Sequence, residues 1–175
     1  RVKLRIPAWA TPGENVVSLN GKALDRDPRP GTYFTVEGNF NPGDTISLDV
    51  PFRATLYEAH PFAEEIRDQV AVRYGPLVYC VESNDLPDGV AIDAVALSRE
   101  SLLQPARREP IRIANTTVQA LVLPALNLKN PDWDTRTLYR EIQPTQPEPF
   151  DLTLVPYYAW GNRGDTEMLV WLRMR

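Results

Sequence analysis

Apolar and polar residues alternate with a period of two along much of this chain, as in strands buried on one face. In Val2-Lys3-Leu4-Arg5-Ile6 the apolar side chains point one way and the two cations the other. Thr45-Ile46-Ser47-Leu48-Asp49-Val50 and Phe150-Asp151-Leu152-Thr153-Leu154 repeat the pattern. Residues 16–19, 32–36 and 70–72 are further predicted strands, rich in β-branched and aromatic side chains. Leu77-Val78-Tyr79-Cys80-Val81 is apolar on both faces, which predicts a central strand covered on each side. Residues 168–175 at the end of the chain are again strand-like.

Turn chemistry separates these runs. Asn20-Gly21 suits the two positive-φ positions of a type I′ hairpin, and Asn41-Pro42-Gly43-Asp44 offers a preset proline φ followed by a permissive glycine. The 17 prolines fall mostly between the periodic runs and would break helices repeatedly. Only residues 98–104 read as helical. Many short strands with almost no helix predict an all-β fold, an antiparallel β-sandwich or two small sandwiches in tandem. Alternation lapses over residues 57–66, which suggests a division into 1–60 and 61–175. Residues 83–89 read as a loop and 143–149 as a stiff, proline-rich connector.

Composition narrows the function classes. Hydrophobic residues make up 43% and charged residues 24% of 175, a balance that can bury a core. With a net charge of −4 and both signs scattered, no basic face is offered to nucleic acid or an anionic membrane. No apolar run approaches the roughly 20 residues that span a bilayer. The single cysteine, Cys80, rules out an internal disulfide but leaves the compartment open. The chain opens on Arg1 inside an alternating stretch, so it reads as a piece of a larger protein whose first sandwich lacks its N-terminal edge.

Candidate chemistry is sparse. His60 is the only histidine, and a lone pair with Cys80 makes neither a zinc site nor a Cys-His nucleophile. The nearest carboxylate groupings for glycoside hydrolysis are Glu64 with Glu65, Glu82 with Asp85, and Asp132 with Asp134. The last pair lies in turn-forming composition and lacks the further oxygen ligands of a calcium loop. Asn115-Thr116-Thr117 matches a glycosylation acceptor, which matters only in a secreted eukaryotic chain. No catalytic residue and no metal ligand set is therefore predicted. The most unusual stretch is Tyr157-Tyr158-Ala159-Trp160-Gly161-Asn162-Arg163, which concentrates three aromatic rings beside polar groups. Tyr157, Tyr158, Trp160, Asn162 and Arg163 could stack on and hydrogen-bond a sugar; composition alone favours a domain interface.

Two long motifs carry a family resemblance. Tyr74-Gly75-Pro76-Leu77-Val78-Tyr79-Cys80-Val81-Glu82 resembles a signature downstream of the barrel in glycoside hydrolase family 127, which includes β-L-arabinofuranosidases. Residues 154–164 with Glu167-Met168-Leu169-Val170-Trp171-Leu172 resemble that family's ending, and Leu4-Arg5-Ile6-Pro7-Ala8-Trp9 with Leu19-Asn20-Gly21 its first post-barrel strands. Tyr74 stands where the pattern opens on arginine, and Gly161 where it has alanine. The resemblance implies an upstream (α/α)6 barrel that carries catalysis, with zinc held there on three cysteines and a glutamate. None of those motifs is in this chain, and Cys80 matches a different, post-barrel cysteine. What the resemblance implies here is a non-catalytic accessory region of bacterial carbohydrate metabolism, with its own barrel as partner and a contribution to a homodimer. The alternative is an autonomous carbohydrate-binding module that grips glycan through Tyr157, Tyr158 and Trp160. A scaffold should expose apolar surface where a partner sits, whereas a binding module should present a groove.

Overall fold

The structure is a computed structural model that describes residues 1–102, 105–129, 136–141 and 144–175. These divide into two compact units, Arg1–Arg53 and Ala54–Arg175.

The first unit holds β1 (Val2–Arg5), β2 (Val16–Leu19), β3 (Lys22–Ala23), β4 (Tyr33–Val36) and β5 (Ile46–Asp49). β1 pairs with β4, while β2 pairs with both β3 and β5, all antiparallel. The alternation read from the sequence sets the register. Leu4 lies opposite Phe34, and Leu19 opposite Ile46. Ile6, Val17, Phe34 and Val36 form the buried centre, with Leu4, Ile46 and Leu48 packed on it. Asn20 and Gly21 take the expected positive φ values of 52° and 77° and close a two-residue hairpin between β2 and β3. The Asn20 side chain then ties two turns together, donating to Asp44 at 2.9 Å and accepting from the Thr45 N–H at 2.8 Å. The Asn41 N–H beside Asp44, and secondarily Asn20, holds the Asp44 carboxyl below the usual range.

The second unit holds β6 (Ala54–Glu58), β7 (Gln69–Tyr74), β8 (Leu77–Glu82), β9 (Val95–Leu97), β10 (Arg107–Ile113), β11 (Thr116–Asn127), β12 (Glu148–Pro156), β13 (Met168–Leu169) and β14 (Trp171–Met174). The division falls at Arg53/Ala54 rather than between residues 60 and 61, because β6 pairs with β7 along its whole length. The strand order is β13-β8-β12-β11-β9-β14-β7-β6, with β10 on β11. β8 pairs first with β7 and then with β12, so the sheet bends back on itself, as in a sandwich whose sheets share a corner strand. One ladder, β14 with β9, is parallel; the rest are antiparallel.

β11 is the spine of this unit, and a proline sits inside it. Pro124 has no N–H to give, so a central position is normally closed to it. Here the neighbour on one edge changes. β10 pairs with β11 as far as Val122, and β9 takes over from Ala125. Pro124 falls in the gap, and its carbonyl accepts the Ser101 hydroxyl at 2.6 Å. The core joins Val72, Tyr79, Val81, Leu97, Leu121, Leu152, Leu154 and Leu172.

The strand expected at residues 70–72 lies within β7, where Val70, Ala71 and Val72 are all buried because β7 is covered on both faces. Two sequence expectations need correction. The helix expected over 98–104 is a single 3-10 turn at Arg99–Leu102, with residues 103–104 outside the described residues. The connector expected over 143–149 is partly strand, since Glu148 and Pro149 open β12 opposite Asn127 and Leu126.

Candidate functional site

β12 delivers the aromatic segment. Pro156 is its last residue, opposite Tyr79 of β8, and a 3-10 turn at Tyr157–Ala159 follows. Ala159 is the buried foot of that turn. Around it, Tyr157, Tyr158 and Trp160 are 46%, 64% and 40% exposed, so three rings face outward. The Asn162 amide donates to the carbonyls of Ala159 at 3.1 Å and Trp160 at 3.2 Å, which closes the turn from below. Gly161 follows at φ 74°, a conformation that favours glycine.

Arg163 does the opposite of the rings and turns inward. Its Nε donates to Glu82 Oε2 at 3.0 Å, and Nη2 reaches the same oxygen. Nη1 and Nη2 also form a two-pronged fork on Asp85, at 2.7 and 2.5 Å. The other Glu82 oxygen accepts the Gly161 N–H at 2.8 Å. Glu82 is 0% exposed, so its charge is held away from water entirely by the guanidinium and a backbone donor. The Asp85 and Glu82 carboxylates hold the Arg163 guanidinium above its ordinary range, Asp85 contributing most. Ser83 extends the arrangement. Its N–H donates to the Glu167 carbonyl at 2.9 Å, and its hydroxyl accepts from the Glu167 N–H at 3.0 Å.

The neighbouring side chains are chemically quiet. Burial pushes the Cys80 thiol up to about 12, and the Glu82 and Asp85 charges add to the shift. The thiol stays protonated and donates to the Val155 carbonyl at 3.7 Å, so it is neither a nucleophile nor a ready metal ligand. Burial, with Tyr158 and Tyr74 adding, pushes the Tyr79 hydroxyl up to about 12, and it donates to the Gln119 carbonyl at 2.9 Å.

Of the residues singled out in the sequence, the structure brings Tyr157, Tyr158, Trp160, Asn162 and Arg163 onto one turn but gives them different tasks. The rings face out, Asn162 braces, and Arg163 anchors. Glu82 with Asp85 proves to be a joint receptor for Arg163 rather than a hydrolytic pair. His60 lies in an exposed turn, with its Nδ1 accepting the Phe62 N–H at 3.2 Å, while Cys80 is sealed in β8. Glu64 and Glu65 sit on an exposed 3-10 turn, and Asn115 is exposed in the β10–β11 hairpin. Asp132 and Asp134 lie outside the described residues. Among the described residues, no group of three or more His, Cys, Asp or Glu side chains is placed to hold a metal ion. The donor set here therefore does not fit the zinc site that the family resemblance implies for a barrel.

The all-β architecture and its two motifs match the non-N-terminal domains of a glycoside hydrolase family. Residues 54–173 match the glycoside hydrolase family 127 C-terminal domain, and residues 1–52 the β-L-arabinofuranosidase, GH127 middle domain. The chain belongs to glycoside hydrolase family 127. It is 34% identical to a non-reducing end β-L-arabinofuranosidase of Bifidobacterium longum subsp. longum, across 99% of this chain and 26% of that protein. A solved glycoside hydrolase superposes with a TM-score of 0.86 at 36% identity, over 98% of this chain and 27% of its own. A GH127 β-L-arabinofuranosidase from Geobacillus stearothermophilus T6 gives a TM-score of 0.72 at 27% identity, over 99% of this chain and 26% of its own. The chain thus spans about a quarter of the length of these relatives.

Proposed function

We propose that this chain is a non-catalytic accessory region of a β-L-arabinofuranosidase-like enzyme, bracing a catalytic barrel that its own 175 residues do not contain. One observation carries this: in the second unit Phe62 is 90% exposed, and Leu138 and Tyr139 nearly as much, which is apolar surface suited to being covered by a partner. Glu82 and Asp85, one of the three carboxylate groupings, are engaged by Arg163, which agrees with a supporting role. Zinc, on this proposal, belongs to the barrel, and exposed apolar side chains of this kind also suit a homodimer contact.

The test compares the 175-residue chain with the full-length enzyme on synthetic arabinofuranosides. The expected result is turnover by the full-length enzyme alone, with its thermal stability falling when Phe62 and Tyr139 are both changed to serine. Turnover by the 175-residue chain would overturn the proposal. A second reading, glycan binding through Tyr157, Tyr158 and Trp160, is favoured by the outward set of those three rings on a braced turn. Its test is retention on an oligosaccharide array and loss of that retention in Trp160→Ala.

A further inference from the structure

A polar cavity of about 470 Å³ lies at the end of the sheet where β11 leaves off and β12 begins. That volume is within the roughly 300–1,000 Å³ of small-molecule sites. Its walls come from three segments distant in sequence. Asn127 and Lys129 enter at the end of β11, and Glu148 and Phe150 at the start of β12. Asp88 and Gly89 enter on a tight turn closed by the Val90 N–H to the Pro87 carbonyl at 3.1 Å, with Gly89 at φ 79°.

Asn127 is the telling residue. It is only 8% exposed, and its Oδ1 accepts the Lys129 N–H at 3.0 Å, but its side-chain NH2 donates to no described residue. That NH2 is open to the cavity and free to donate to a molecule held there. The same cavity is lined by the exposed Asp88, the Lys129–Glu148 ion pair and the half-buried Phe150 ring. Donors, acceptors and one apolar ring face match a neutral sugar, whose hydroxyls both give and take hydrogen bonds and whose C–H face packs on an aromatic.

We infer that this cavity binds a neutral saccharide ring, with the Asn127 NH2 donating to one hydroxyl, Asp88 accepting from another, and Phe150 packing under the ring. The site is separate from the Tyr157–Trp160 turn and stands whether or not that turn binds glycan. The test is an amide NMR titration of the 175-residue chain with L-arabinose and an arabino-oligosaccharide, with glycerol as the control polyol. Shifts at Gly89, Asn127 and Phe150, saturable with sugar and not with glycerol, are expected. Asn127→Asp keeps the acceptor for Lys129 but removes the donor, and Asp88→Ala alters only an exposed turn. Each should weaken binding about tenfold or more, with the rest of the spectrum unchanged. Shifts confined to residues 157–160, no saturable shifts, or equal binding by both variants would overturn the assignment.

Discussion

Within one short turn the chain makes two opposite uses of side chains built for recognition. Tyr157, Tyr158 and Trp160 lie 40–64% in solvent, while Arg163, three residues past Trp160, is drawn inward onto a fully buried carboxylate. Composition gives both halves the same appearance, aromatic rings and an arginine beside glycines. The difference lies in what each half finds underneath. The rings sit above Ala159, too small to bury them, whereas Arg163 meets Glu82 and Asp85 at the end of β8. The inward half holds the loop in place, so the outward half is a surface presented at fixed geometry. Recognition by rigid aromatics loses less entropy than recognition by a mobile loop.

The comparison breaks most visibly at Arg163. Arg163→Ala leaves the Glu82 carboxyl buried and without its guanidinium, and removing one partner of a buried pair typically costs about 3–5 kcal/mol. Urea unfolding followed by tryptophan fluorescence should register that loss. Trp160→Ala, at a ring already 40% exposed, should stay within about 1 kcal/mol. If the two variants were equally stable, Arg163 would not be the anchor.

Much of this fold is legible in the sequence, and the failures have a common cause. Strands with one covered face announce themselves: Val2, Leu4 and Ile6 alternate because only one side of β1 meets the core. The Asn20-Gly21 hairpin is legible because few residues accept φ above zero at both central turn positions. β11, the longest strand among the described residues, is not legible in the sequence. It is apolar on both faces over much of its length and carries Pro124, which argues against a central strand until the switch from β10 to β9 is known. The β10–β11 hairpin was equally hidden, since its turn places Ala114 at φ 50° without a glycine to mark it. At the site, the aromatic cluster could be read from local composition. The destination of Arg163 could not, because its acceptors lie 81 and 78 residues away and nothing local pairs them.

An alkaline titration sharpens the same contrast from the core side. Cys80 and Tyr79 are neutral acids whose folded values, both about 12, stand above the unfolded 9.0 and 10.0. The folded state therefore keeps protons that the unfolded chain releases. This contribution to stability is complete below pH 9 and is lost as the pH rises towards 12. The urea midpoint should fall over that window. Cys80→Ala should remove the part that begins near pH 9 and leave the part from Tyr79 that begins near 10. A thiol reagent at pH 8 should label the unfolded chain and spare the folded one. Equal labelling rates would mean that β8 is not covered as described.

The smallest effect is the most discriminating. Tyr158→Ser, at 64% exposure, and Trp160→Ala remove outward rings and leave the Glu82–Arg163–Asp85 contacts untouched. Each should change unfolding stability by no more than about 0.5–1 kcal/mol, the range of surface substitutions. If the rings brace a catalytic barrel, the full-length enzyme carrying both changes should unfold at lower temperature, while the 175-residue chain alone hardly notices. If they hold glycan, the thermal behaviour of the full-length enzyme stays as it was and retention on an oligosaccharide array disappears. A buried anchor reports on folding alone, whereas an exposed ring held by that anchor reports on whatever covers it. Measuring both variants in both settings therefore separates a barrel from a sugar as the occupant of this face.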